Sequence, residues 1–171
     1  MTVGPARLEP EAPASRAVQL NSDMPVVGEA LLHPLSLGAL CLWAANDHLW
    51  KAAYGNWLTG KLSDVCSLIV FPLLLFCAPQ LLWRLRRKCA PPHWSLIFVV
   101  VLVGVAFSGI NTTPAIEAMY RFGVAFAHAP LVTLQQPALL MNSVDHTLDV
   151  ADLLTLPALW FAYRLGRPYV S

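Results

Sequence analysis

The chain has 171 residues, of which 57% are hydrophobic and 12% charged, with a net charge of +1. Soluble domains carry about 25% charged residues and disordered chains need low hydrophobicity, so both classes are argued against. Near-neutral charge also lacks the basic footprint of a nucleic-acid binder, and the balance is that of a small polytopic membrane protein whose first partner is the lipid bilayer.

Residues 1–28 combine Pro5, Pro10, Pro13 and Pro25 with Arg7, Arg16, Glu9, Glu11 and Asp23. No basic start leads into a short apolar core, so the segment reads as a flexible cytoplasmic tail and not as a cleaved signal peptide. Residues 29–171 read as an all-α transmembrane domain, a four-helix bundle. A spanning helix needs about 20 apolar residues. Spans are expected over about 30–50, 62–83, 93–111 and 146–164, the last being shorter in its apolar part and acidic. Pro34, Pro72, Pro79 and Pro157 are tolerable where neighbouring helices satisfy the carbonyls they free. Between the third and fourth spans, Thr113 before Pro114 predicts a helix start. Ile116, Met119, Tyr120 and Gly123 then recur at helical spacing, with Glu117 and Arg121 at i,i+4 on another face. This predicts a short extracytoplasmic amphipathic helix lying at the interface. Pro130 and Pro137 break the next stretch, and residues 130–142 are apolar enough for a re-entrant hairpin. Cys41, Cys66 and Cys77 fall in apolar stretches and no CxxC pair exists, so the cysteines read as small buried residues.

Lysine and arginine set the orientation through the positive-inside rule. Arg84, Arg86, Arg87 and Lys88 come after the second span, Arg164 and Arg167 after the fourth, and Arg7 and Arg16 precede the first. Only Lys51, Lys61 and Arg121 remain for the other side. Both termini are therefore expected in the cytoplasm, and a bacterial cytoplasmic membrane is the expected location.

With that topology, four separate regions bring polar residues to one extracytoplasmic depth. Asn46, Asp47, His48 and Lys51 end the first span, and Thr59, Gly60, Lys61, Ser63 and Asp64 open the second. Asn111, Thr112 and Thr113 end the third, and Asp145, His146, Thr147, Asp149 and Asp152 begin the fourth. Asp145, Asp149 and Asp152 share one helical stripe at i, i+4 and i+7. Asp47 with Lys51 and Lys61 with Asp64 are spaced to pair on their own helices. Asp47, Asp64, Asp149 and Asp152 against two lysines leave an excess of about two negative charges. A divalent metal ion held by Asp64, Asp149, Asp152 and His146 would neutralise it, and so would protonation of one aspartate. The plain alternatives are that Asp145, Thr147 and Asp149 cap the fourth helix, that Gly60 turns a loop, and that Lys61–Asp64 is an interfacial ion pair. Asp152 lies too deep to cap, and intramembrane ionisable groups are functional as a rule.

The strings Asn46-Asp47-His48, Thr59-Gly60-Lys61-Leu62-Ser63-Asp64 and His146-Thr147-x-Asp149-x-x-Asp152-Leu153 resemble a family of uncharacterised bacterial integral membrane proteins with NDH, TGKLSD and late acidic-leucine segments. The resemblance covers about residues 46–160 in patches, and Val65-Cys66-Ser67 departs from it. It supports the choice of residues and implies no activity. In size and layout the chain is also loosely similar to VanZ-like small membrane proteins, without a shared motif. The TGK string lacks the upstream glycine of a phosphate-binding loop.

Three functions compete. The first is an outward-facing site for a lipid-linked or anionic substrate. In it Asp64, Asp149, Asp152, His48 and His146 would do acid–base or metal chemistry, and Lys51, Lys61, Asp47, Asn46 and Ser63 would bind substrate. The second is a non-catalytic accessory or scaffold subunit locked by polar contacts. The third is proton or ion translocation along the acidic stripe.

Overall fold

The computed structural model describes residues 25–87, 89–128 and 148–171. The tail up to residue 24, the 130–142 stretch, Asp145, His146 and Thr147 lie outside the described residues. Within them the chain is helical throughout, with no strand.

A 3-10 turn over Glu29–Leu32 succeeds Gly28, which sits at φ 80° and donates its N–H to Gln80 Oε1 at 3.0 Å. That left-handed conformation favours glycine. His33 is extended and caps the next helix, its Nδ1 accepting from Leu35 N at 3.2 Å, with Pro34 at the first helical position. Helix α1, Pro34–Ala45, then runs without a break through a π-helical turn, Asn46–Trp50, into the short α2, Lys51–Tyr54. The π turn is closed by Lys51 N–H reaching the Asn46 carbonyl.

Helix α3, Trp57–Arg87, starts five residues before the expected position near Leu62. Its start is fixed by reciprocal capping: Thr59 N donates to Asn56 Oδ1 at 3.1 Å, and Asn56 N donates to Thr59 Oγ1 at 3.2 Å. Gly60 is therefore not a loop turn but lies inside the helix. Helix α4, His93–Thr112, matches its expected extent. Both α3 and α4 are long and apolar enough to cross a membrane. Helix α5, Pro114–His128, begins where Thr113-Pro114 predicts and carries the expected Glu117–Arg121 ion pair at 3.5 Å. The pair faces inward while Met119, Phe122 and Phe126 are exposed.

The last segment departs most from expectation. Asp149 is extended and precedes the winding that carries Asp152, so these two do not share one continuous α-helix. Winding starts at Val150 as a nine-residue 3-10 helix, Val150–Ala158, and becomes α-helical only in α6, Leu159–Gly166. Pro157 lacks the N–H that an α-helix would bond to the Leu153 carbonyl. The 3-10 turn instead uses i,i+3 bonds such as Asp152 N to Asp149 O at 2.9 Å.

Helix α3 is the central element, packing against α1, α4, α6 and the 3-10 helix. Leu68 and Ile69 meet Ala39 and Ala158; Leu73 meets Ala30 and Ala162; Phe76 meets Leu96 and Val99. Small residues let the backbones approach: a Cβ on Gly104 would lie 2.9 Å from Leu159 Cδ1, and one on Gly166 would lie 2.6 Å from Leu96 Cδ1. The chain's end is tied to the α3–α4 loop, with Ser171 N donating to Pro91 O and His93 N to Ser171 O, both at 3.0 Å. His93 Nε2 meets the Tyr163 hydroxyl at 3.0 Å, and Trp83 stacks edge-on with Trp94. Loop 89–92, the Gly28 turn and the C-terminus thus share one end, and the Asn46, Lys61, Asn111 and Asp149 regions share the other.

Candidate functional site

The polar end resolves into two networks. The first is centred on Lys61, buried at 8% exposure. Its ammonium meets Asp149 Oδ2 at 3.1 Å and also pairs with Asp152 Oδ1. Asp149 lies just outside the 3-10 helix, whose first turn, closed by Asp152 N donating to the Asp149 carbonyl, leaves both carboxylates on one lysine. Asp149 is also the N-cap, its Oδ1 accepting from Ala151 N at 2.8 Å. The sequence-local pair expected between Lys61 and Asp64 is not formed; Lys61 reaches across to the last segment instead. Trp57 lies against the ammonium, its ring centre 5.6 Å away.

The second network starts at the π turn. Asn46, fully buried, donates from Nδ2 to the Thr59 carbonyl and to Ser63 Oγ, each at 2.7 Å. Ser63 Oγ in turn donates to Asp47 Oδ1 at 2.5 Å, and Asp47 holds Lys51 at 2.8 Å. On this π turn Asn46 is buried, while Asp47 and Lys51, four residues apart, pair at the rim. Such bulges occur frequently at functional sites.

Beside the second network opens a cleft of about 460 Å³ between α1, α3, α4 and α5. That is within the range of about 300–1,000 Å³ typical of ligand pockets. Asp47, Lys51, Ser63, Asp64 and Asn111 line its polar end, and Ser67 is the last hydroxyl along α3. Beyond it the walls are Leu68, Phe71, Leu75, Val103 and Phe107, with Trp43 edge-on to Phe71 at 5.4 Å. Asn111 is 2% exposed; its Nδ2 donates to Phe107 O at 3.0 Å and its Oδ1 has no partner among the described residues. Asn46 Oδ1 is likewise unpartnered. Asp64 lines the cleft and is near enough to feel the charges of both Asp152 and Lys61, which sets it between the two networks.

Of the residues singled out from the sequence, Asn46, Asp47, Lys51 and Ser63 are brought together, as are Lys61, Asp149 and Asp152. Asp64 stands between the two groups. His48 is exposed on the π turn and joins neither network. His146 lies outside the described residues. Among the described residues no group of three or more His, Cys, Asp or Glu side chains is arranged to hold a metal ion. The charge between Asp149 and Asp152 is met by the Lys61 ammonium. The four cysteines are free thiols, Cys66 buried and Cys41 and Cys89 exposed.

The cleft walls carry no signal in the sequence. Trp43, Phe71, Phe107 and Tyr120 sit in apolar or amphipathic runs where an aromatic residue does not stand out. Asn111 was visible only as one of three polar residues, with Thr112 and Thr113, that end the third expected span, and nothing in the sequence assigned it a role.

Comparison of the chain with family profiles, characterised proteins and solved structures returns no match.

Proposed function

We propose that this is a four-span integral membrane protein of a bacterial cytoplasmic membrane, with both termini cytoplasmic. In this reading its extracytoplasmic cleft binds a membrane-embedded amphiphile by its polar head. Helices α3 and α4 supply two spans by length and composition. The helical run from Pro34 to Tyr54 and the final segment from Val150 to Gly166 are the other two. The final segment is long enough despite its few residues. Its 3-10 part rises about 2.0 Å per residue and α6 about 1.5 Å, which gives about 30 Å, the hydrocarbon thickness. The basic residues Arg84, Arg86, Arg164 and Arg167 then mark the cytoplasmic end, opposite the polar networks.

The observation that carries the binding reading is the graded lining of the cleft, polar at one end and apolar for the rest of its length. A one-sided polar end favours a head-group site over a conducting path, since Leu68, Phe71 and Leu75 succeed Ser67 along α3. Lys61 belongs to a different task. It joins the central helix to the last segment, which supports a locking role for that half of the charged residues, as in the scaffold reading.

Native mass spectrometry of the detergent-purified protein tests this function. Wild type should retain one lipid-mass adduct, and Ala106→Trp, which fills the cleft beside Phe107, should retain none while keeping its helical circular dichroism. Equal retention by both proteins would overturn the reading.

A further inference from the structure

The chemistry of the cleft's polar end specifies the head group, an inference that rests on the binding reading above. Both lysines of the polar end are already engaged. Lys51 is paired with Asp47 at 2.8 Å, and Lys61 is held between Asp149 and Asp152 outside the cleft lining. No cation lining the cleft is therefore left over for an anionic head among the described residues. What remains uncommitted is acceptor capacity. Asn111 Oδ1 is buried with no partner among the described residues, and Asp64 adds a carboxyl beyond the neutral Asp47–Lys51 pair. A buried acceptor left unpaired is costly, so a cleft built around one is shaped for a ligand that donates. A carboxyl beside it favours a donor that is also positively charged.

The apolar part fixes the rest of the ligand. Phe71 and Leu75 are 43% and 45% exposed, so the cleft is open along its side as well as at its polar end. From Asp64 to Leu75 the helix rises about 16 Å at about 1.5 Å per residue, a length that suits a hydrocarbon chain entering laterally from the bilayer. We propose that the cleft takes a phospholipid with a primary-ammonium head, its N–H groups donating to Asn111 Oδ1 and Asp64 and one chain lying along Phe71 and Leu75.

The test is binding of lipids with identical chains to the delipidated full-length protein, read by native mass spectrometry. Phosphatidylethanolamine carries the N–H donors and the positive charge, phosphatidylcholine the charge without the donors, and phosphatidylglycerol neither. Wild type should bind phosphatidylethanolamine at least tenfold more tightly than phosphatidylglycerol, with phosphatidylcholine between them. Asp64→Asn should reduce that preference to within threefold, and Asn111→Leu should weaken phosphatidylethanolamine selectively. Equal binding of the three lipids by wild type, or a preference unchanged in both variants, would overturn the head-group assignment while leaving the cleft a lipid site. Binding of every lipid no tighter than to Ala106→Trp would overturn the cleft reading itself.

Discussion

Replacing Lys61 with methionine is the sharpest probe of how the charged residues hold the fold. The side chain is 10% exposed and serves two carboxylates, Asp152 at 17% exposure and Asp149 at 43%. Removing the cation leaves Asp152 buried beside Asp64 with no positive partner. Breaking a buried pair from one side costs about 3–5 kcal/mol, and the lower end applies because Asp152 keeps some access to solvent. Asp152→Asn should cost less, about 1.5–3 kcal/mol, the worth of a hydrogen bond to a charged group, because Lys61 retains Asp149. Asp149→Asn should be the mildest, since asparagine caps a helix as well as aspartate does and the carboxylate is partly exposed. The double change Lys61→Met with Asp152→Leu should recover much of the loss, as apolar replacement of a whole buried pair often does. Unfolding in mixed micelles by dodecyl sulfate titration, monitored by circular dichroism, ranks the four proteins. A Lys61→Met loss under about 1 kcal/mol, within the range of an exposed ion pair, would refute the buried lock. So would a double variant no better than the single.

Packing and topology make further outcomes measurable. Gly166→Ala should destabilise by about 1–3 kcal/mol in the same titration, because its Cβ would lie 2.6 Å from Leu96 Cδ1. Gly60→Ala should be neutral or stabilising by up to about 1 kcal/mol, since a Cβ there meets nothing within 4 Å inside a helix. Asn46→Ala should cost about 1–3 kcal/mol, the worth of its two buried hydrogen bonds to the Thr59 carbonyl and Ser63. Cys89, exposed in the loop after α3, should react with a membrane-impermeant maleimide in inside-out vesicles and not in intact spheroplasts; the reverse pattern would invert the proposed topology.

How much of this was legible in the sequence depended on whether a feature was local. The α4 helix was, because an unbroken apolar run is its own signal, and so were the Thr113-Pro114 start and the Glu117–Arg121 pair. The gathering of polar residues at one end was also legible, since it needs only span order and lengths. The winding was not. Whether Asn46–Trp50 forms a π turn depends on where the Asn46 amide finds Thr59 and Ser63, a fact of tertiary packing. The 3-10 start of the last segment had a partial signal in Pro157, but its effect on Asp149 and Asp152 comes from a lysine 88 and 91 residues away in sequence. Lys61 and Asp64 three residues apart suggested a local pair, and the long-range geometry prevailed. The scarce charged residues of the polar end thus separate into a lock around Lys61 and a cleft edge from Asp47 to Asp64, a division that spacing could not make.

A lipid chain in the cleft beneath the Asp64–Asn111 edge is the central claim. A photo-crosslinking residue placed at Phe71, with a second placed at Phe98 on the exposed face of α4 as control, tests it directly after detergent purification. The expected result is a lipid adduct at position 71 and none at 98. Adducts at neither position, or equally at both, would contradict it.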